Sequence, residues 1–236
     1  EGGPRVSSDC HSVLVSSVYQ WSRLPARRWL SMADWLENRH AIVTGAARGI
    51  GLAVSQTLAL LGARVLMVDN GCAVDGSPED PAVTELAAAR VPGAESLALD
   101  VAAPGSGQRI VDAAVKAFGS VDLVIHAAGI QSGFEPGPVA DRSAGGAAPP
   151  AGDAALLRSA LEQVFATDVL AAAELYEAVL PAFRRQHAEG RLPGAVVSLI
   201  SAEAVYGDPE LYVESVGKSA LLGLTRSLQL SYRLHF

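Results

Sequence analysis

Three glycines and one acid carry the first chemical expectation. Residues 44–51 read Thr44-Gly45-Ala46-Ala47-Arg48-Gly49-Ile50-Gly51, between a short apolar run and a segment with apolar residues at helical spacing. Glycine lets the chain turn sharply there, lets backbone approach a pyrophosphate, and lets the helix pack on the strand. The helix N-terminus then offers unpaired N–H groups and a positive dipole end to phosphates. Gly45, Ala47, Arg48, Gly49, Ile50 and Gly51 are the candidates for that contact. Asp69 ends the next β-rich run, 18 residues beyond Gly51. An acid about 20 residues on accepts hydrogen bonds from an adenosine ribose and repels a 2′-phosphate, so Asp69 favours NAD over NADP. The bland alternative for Asp69 is a solvated loop acid.

A second set of side chains lies near the far end of the chain. Glu214 and Lys218 are four residues apart, in the order that favours a helical ion pair. On those two residues alone, a salt bridge is the plain reading. Ser201 leaves an apolar run and, taken alone, is a structural hydroxyl. His126 stands near the end of another such run, where a lone histidine is more often structural than catalytic. Arg184, Arg185 and Arg191 flank a helix end and read as solvated. No second His or Cys falls at metal-ligand spacing, so no metal site is expected.

The elements that position these residues alternate. Strand patterns cover 40–44, 64–68, 96–99, 121–127 and 194–200. Helical patterns cover 50–61, 81–90, 107–118, 154–181 and 210–232, with Gly62 and Gly119 as stops. Strands separated by helices of this length imply parallel crossovers, hence an α/β fold: a doubly wound parallel sheet in three α/β/α layers. Residues 132–152, rich in Gly, Ala and Pro, read as a long loop near the substrate edge of that sheet.

Composition narrows the function classes. Hydrophobic residues make up 50% of the 236 and charged residues 18%, the reverse of a disordered chain. A net charge of −7 argues against a nucleic-acid partner, which requires a basic face. The most apolar window, 58–68, is too short for a membrane span and is interrupted by Gly62 and Arg64. Two cysteines, Cys10 and Cys72, exclude a disulfide framework and point to a reducing, cytoplasmic compartment. Residues 1–31 differ from the rest, with Arg5, Arg23, Arg27, Arg28 and seven serines. They read either as an organelle transit peptide or, preferred here, as a leader or upstream extension ahead of Met32. The folded domain is expected over 32–236.

The glycine turn, Val68-Asp69, Leu99-Asp100-Val101 and Ala127-Ala128-Gly129 together resemble the short-chain dehydrogenase/reductase family, over about 38–236. The resemblance implies a Rossmann-type domain that binds NAD and moves hydride between it and an alcohol or carbonyl. It implies that Asp100 and Val101 bracket the adenine. Ala127, Ala128 and Gly129 would line the ribose path, in place of the family's usual Asn-Ala-Gly. Asp69-Asn70-Gly71 with Asp75-Gly76-Ser77 resembles the longer loop of members acting on acyl thioesters. The family's catalytic set is asparagine, serine, tyrosine and lysine, the tyrosine four residues before the lysine. Gly217-Lys218-Ser219-Ala220 matches the lysine helix and Ser201 the serine. Four back from Lys218, and 13 on from Ser201, both reach Glu214 instead of tyrosine. Asp168, in Phe165-Ala-Thr-Asp-Val-Leu170, takes the asparagine position.

Three readings follow. Glu214 serves as acid or base in an altered reaction; or Tyr212 or Tyr206 moves in to take the proton; or the domain binds nucleotide without redox turnover. A carboxylate with an ordinary pKa near 4.3 is a poor proton donor at neutral pH. The leading expectation is an NAD(H)-dependent oxidoreductase acting on a small hydroxyl or carbonyl compound, with an acyl thioester as one candidate. The alternatives are a regulatory nucleotide-binding protein and a dehydratase or cyclase on the same scaffold. The family's sixth strand and substrate segment would follow Phe236, so the domain reads as C-terminally incomplete. The resemblance implies a homodimer or homotetramer, through the helices represented here by 154–181 and 210–232.

Overall fold

The alternation of β-rich and helix-period segments builds one five-stranded parallel sheet. The strands are β1 (His40–Thr44), β2 (Arg64–Asp69), β3 (Glu95–Ala98), β4 (Leu123–His126) and β5 (Ala195–Ser198). They lie in the order β3-β2-β1-β4-β5. Thr44 sits between Val68 on β2 and His126 on β4, and His126 is level with Ser198 on β5. The structure is a computed structural model describing residues 35–73, 75–78, 80–131, 154–208 and 211–233. The expected leader 1–31 and the expected loop 132–152 lie outside those residues.

Helices cover both faces of the sheet. They are α1 (Gly49–Leu60), α2 (Ala82–Ala88), α3 (Ser106–Phe118), α4 (Ala154–Val164), α5 (Ala171–Ala188), α6 (Glu203–Tyr206) and α7 (Tyr212–Arg233). Successive strand side chains point to opposite faces, and the core divides accordingly. Ala41, Val43, Val65, Met67 and Ile125 face one layer with Ala87, Ala88 and Val91, against which Leu52 and Leu58 of α1 pack. Ile42, Leu66, Val68 and Val124 face the other, with Ile110, Val111, Leu175, Val179, Phe183 and Leu221 from α3, α5 and α7. This is the doubly wound, three-layer arrangement that the pattern predicts. Each such buried aliphatic side chain contributes roughly 1.5–3 kcal/mol.

The α3–α5 contact is close because a glycine permits it. A Cβ on Gly107 would lie 2.5 Å from the Glu174 backbone. Glu174 Oε2 also accepts a 3.0 Å hydrogen bond from Gly105 N–H, ahead of α3.

Two expectations need correction. The long helix expected over 154–181 is interrupted by a π-helical turn, Phe165–Leu170, and continues through Pro181 to Ala188. An interior proline costs about 3 kcal/mol. Here it points outward, and the same helix buries Leu175, Tyr176, Val179, Leu180 and Phe183, which together outweigh that cost. Arg191, expected to be solvated, instead donates to Asp122 Oδ1 and Oδ2 at 3.0 and 3.1 Å. Asp122 is buried at the start of β4 and requires partners. Arg39 and the His40 N–H donate to it as well, at 3.1 and 2.9 Å. Arg184 and Arg185 are exposed, as expected.

Candidate functional site

The strand order reverses between β1 and β4, and a crevice opens beyond the C-terminal ends of the strands at such a point. A cleft of about 470 Å³ lies there. Gly45, Arg48, Gly49, Ile50 and Gly51 line it from the β1–α1 turn, Asp69 from the end of β2, and Asp100 and Val101 from the segment after β3. Ala127, Ala128 and Gly129 line it from the segment after β4.

The turn is shaped by its glycines. Gly45 has φ +64° and lies so close to Ala128 that a Cβ there would come within 2.8 Å of its backbone. A Cβ on Gly51 would collide with the Gly45 carbonyl oxygen. Gly49 opens α1 with φ +51°, and a Cβ on it would project into space with no atom within 4 Å. No side chain caps α1 and no acid occupies its first turn. Its first N–H groups are thus left to an anion in the cleft, which is what a pyrophosphate requires.

Asp69 is no solvated loop acid. Its Oδ2 accepts from Ala47 N–H at 3.0 Å and its Oδ1 from Gly71 N–H at 2.9 Å. The carboxylate therefore ties the glycine turn to the end of β2. Ala47 contributes through this bond, not as a lining residue. Each carboxylate oxygen retains a lone pair for a ligand hydroxyl.

The opposite end of the cleft is lined by Gln163, Ala166 and Thr167 of α4 and the π-helical turn, and Asp168, Glu214 and Lys218 lie outside its lining. Asp168, fully buried on that turn, places Oδ2 2.9 Å from Lys218 Nζ. Burial raises the Asp168 pKa and nearby Glu214 adds to that, while Lys218 pulls the other way. Gly217 makes the approach possible, since a Cβ there would collide with Val164 Cγ1. Gly129 is pressed against the ion pair: a Cβ on it would lie 2.8 Å from Lys218 Nζ and 3.1 Å from Asp168 Oδ1. Glu214 is buried one turn before Lys218 on α7.

His126 completes this group from β4. Its Nδ1 lies 3.0 Å from Thr44 Oγ1, which also accepts from Ala128 N–H at 3.2 Å. Burial, then the Lys218 charge, push the His126 pKa down to about 4.

The remaining candidates lie elsewhere. Tyr212 lines a separate pocket of about 410 Å³ with Tyr206, Ser215 and Val216, and packs on the Val164–Val213 cluster. Ser201 is half-buried ahead of α6, where its carbonyl accepts from Ala204 N–H; the cleft reaches Leu199, two residues earlier. The cleft also takes in Gln163, Ala166 and Thr167 from the helix carrying Asp168, and Cys72 from the loop after β2. Gln163 and Thr167 are four residues apart, a spacing that would have marked one helix face. Among the described residues no group of acidic, His or Cys side chains could hold a metal, and no helix is long and apolar enough to cross a membrane.

A profile of the short chain dehydrogenase family matches residues 39–235. The chain belongs to the short chain dehydrogenase family. It is 41% identical over 95 residues to L-rhamnose 1-dehydrogenase (NAD(P)(+)) of Azotobacter vinelandii, covering 40% of this chain and 37% of that one. It is 27% identical over 200 residues to sorbitol dehydrogenase of Cereibacter sphaeroides, covering 85% and 67%. The chain thus spans little more than a third of the first of these relatives and two thirds of the second. The 3-ketoacyl-(acyl-carrier-protein) reductase of Brucella melitensis, solved with NADH, superposes with a TM-score of 0.68 at 22% identity, over 84% of this chain and 71% of that one. That likeness concerns the fold.

Proposed function

We propose that this short chain dehydrogenase is an oxidoreductase that transfers hydride between NAD(H) and a hydroxyl or carbonyl group of a small molecule. The observation that carries it is the continuous cleft from Asp69, past the uncapped start of α1, to Gly129 and the Asp168–Lys218 pair behind it. Backbone amides of the glycine turn meet the pyrophosphate and Asp69 meets the adenosine ribose, which favours NAD over NADP. Asp100 and Val101 border the adenine; Ala127, Ala128 and Gly129 border the second ribose, and Lys218 orients it. When bound, the dinucleotide supplies the hydride-accepting or hydride-donating ring carbon.

The proton then falls to this chain's own side chains. Ser201 holds the substrate oxygen, and Glu214 is the acid–base group. Glu214 is buried and acts electrostatically on Asp168, whereas Tyr212 lines the other pocket. The names of relatives acting on L-rhamnose, galactitol and sorbitol favour a polyol or sugar substrate; the ketoacyl reductase likeness keeps a thioester in view. Leu156 and Leu170, exposed on α4 and the π-helical turn, support assembly as a homodimer or homotetramer, and the free Cys72 accords with a cytoplasmic setting.

A second reading, nucleotide binding without redox turnover, is favoured by the carboxylate at 214. The two part in one assay: reduced-nicotinamide absorbance followed with wild type and Glu214→Gln across polyols, sugars, ketones and a ketoacyl thioester. Turnover of at least one substrate, lost in the variant, is expected. Binding of NADH with no turnover of any substrate would establish the second reading.

A further inference from the structure

The short helix α6 and the start of α7 border a second pocket, and no residue lining it also lines the cofactor cleft. Its volume is about 410 Å³, room for a small metabolite. Glu203 and Tyr206 reach it from α6, and Tyr212, Ser215 and Val216 from α7. The start of α7 thus presents two faces. Lys218 turns to Asp168, whereas Ser215, Val216 and Ser219 turn to this pocket.

Glu203 and Asp208 line the pocket, and among the described residues lining it there is no Lys, Arg or His. Asp208 accepts from Leu211 N–H at 3.3 Å. Glu203 is half-buried, and among the described residues nothing pairs with its carboxylate. Apolar surface stands open at the same place: Tyr206 is 80% exposed, Val205 61% and Val216 45%. Single exposed apolar side chains are ordinary, but three around one concavity form a surface that a ligand can cover. Ser215 is an independent sign. It is 7% exposed, and its Oγ has no hydrogen-bond partner among the described residues. A buried hydroxyl without a partner is costly, and folded proteins retain few of them.

We propose that this pocket binds a small organic cation, an alkylated ammonium that carries a hydroxyl group. The ammonium lies between the Glu203 carboxylate and the ring of Tyr206, whose face attracts a cation. Its alkyl groups cover Val205 and Val216, and its hydroxyl meets Ser215 Oγ, which can donate or accept. A neutral ligand of the same shape gains the apolar contacts and the hydrogen bond without the attraction to Glu203. An anion meets Glu203 with no cation in the lining to offset it. The site is separate from the proposed cofactor cleft and does not depend on it.

The test is calorimetric titration of the full chain with choline and with dimethylbutanol, its neutral isostere, in which carbon replaces the ammonium nitrogen. Choline is expected to saturate one site per chain, with NADH present or absent, and to bind about threefold tighter than the isostere or better. Glu203→Gln and Tyr206→Leu should each weaken choline about threefold and leave the isostere within about twofold. Ser215→Ala should weaken both ligands, since both carry the hydroxyl. The proposal is overturned if choline fails to saturate by roughly 10 mM. It is overturned equally if the isostere binds wild type as tightly as choline, or if neither Glu203→Gln nor Tyr206→Leu narrows the difference. Displacement of choline by NADH would also overturn it, by placing the cation in the cofactor cleft.

Discussion

Lys218 on α7 and Asp168 on the π-helical turn face each other at 2.9 Å, and Gly129 fills the gap beside both. The Asp168 carboxylate is fully buried, while the Lys218 side chain retains 18% exposure. The two charges are therefore unequal in what their loss costs. Lys218→Met leaves a buried carboxylate without its cation and should destabilise by roughly 3–5 kcal/mol. Asp168→Asn leaves an ammonium that can turn to water and should cost less, about 1–2 kcal/mol. Urea unfolding of the double variant should show less destabilisation than the sum, with a coupling of about 1–3 kcal/mol. Additive costs would mean that the pair is not coupled.

Gly129 and Gly49 should respond to alanine in opposite ways. At 129 the new Cβ would lie 2.8 Å from Lys218 Nζ, so the ion pair must move; a loss of roughly 1–3 kcal/mol and weaker NADH binding are expected together. At 49 the Cβ meets nothing in the protein but occupies the cleft at φ +51°. There the unfolding free energy should fall by the cost of a strained φ, about 1 kcal/mol, while NADH affinity falls much more. Equal loss of affinity per unit of stability in the two variants would contradict this division.

His126 gives the fold an acid limit. Its folded pKa, near 4, is depressed below the ordinary 6.5 by burial first. The native state resists the proton that the unfolded state accepts, so this contribution is complete above about pH 6.5 and fades as pH falls toward 4. The slope is about 1.4 kcal/mol per pH unit, and the total is on the order of 3 kcal/mol. Asp168 has the opposite sign: its raised pKa makes the native state the better proton acceptor as pH falls toward the carboxylate range. Subtracting the pH-dependent stability of His126→Asn from that of wild type isolates the histidine. A flat difference between pH 6.5 and 4 would refute the assignment.

Just ahead of β4, at the strand ends opposite the cleft, Asp122 should matter to the fold and not to the cleft. It is buried and accepts from Arg39, Arg191 and the His40 N–H. Asp122→Ala should cost roughly 2–4 kcal/mol in chemical denaturation and leave the NADH dissociation constant within about twofold of wild type. A large change in affinity with little loss of stability would show that the two ends of the strands communicate.

The parallel sheet was legible because β1, β2 and β4 are short apolar runs and the segments between strands carry helical spacing, with Gly62 and Gly119 closing two of them. The glycine turn and Asp69 were legible for a different reason: their roles are performed by backbone and by one carboxylate at a fixed offset. The lower end of the cleft was harder. Spacing brought Glu214 into line with Lys218, yet nothing local to the sequence showed that Lys218 would turn to Asp168, 50 residues earlier. That contact depends on Gly217 and Gly129 giving up their Cβ positions, a tertiary matter. Arg191 was misread likewise, because its partner Asp122 lies 69 residues away. The helical pattern reads to 181, whereas the buried face of α5 carries the helix through Pro181 to Ala188.

The central claim is that the cleft between Asp69 and Gly129 binds NAD(H). Its most direct measurement is a fluorescence titration of the folded chain with NADH and, separately, NADPH. Saturable binding of NADH at one site per chain, with NADPH at least tenfold weaker, is the predicted result. No saturation with either would contradict the account, and NADPH binding as tightly as NADH would contradict the role given to Asp69.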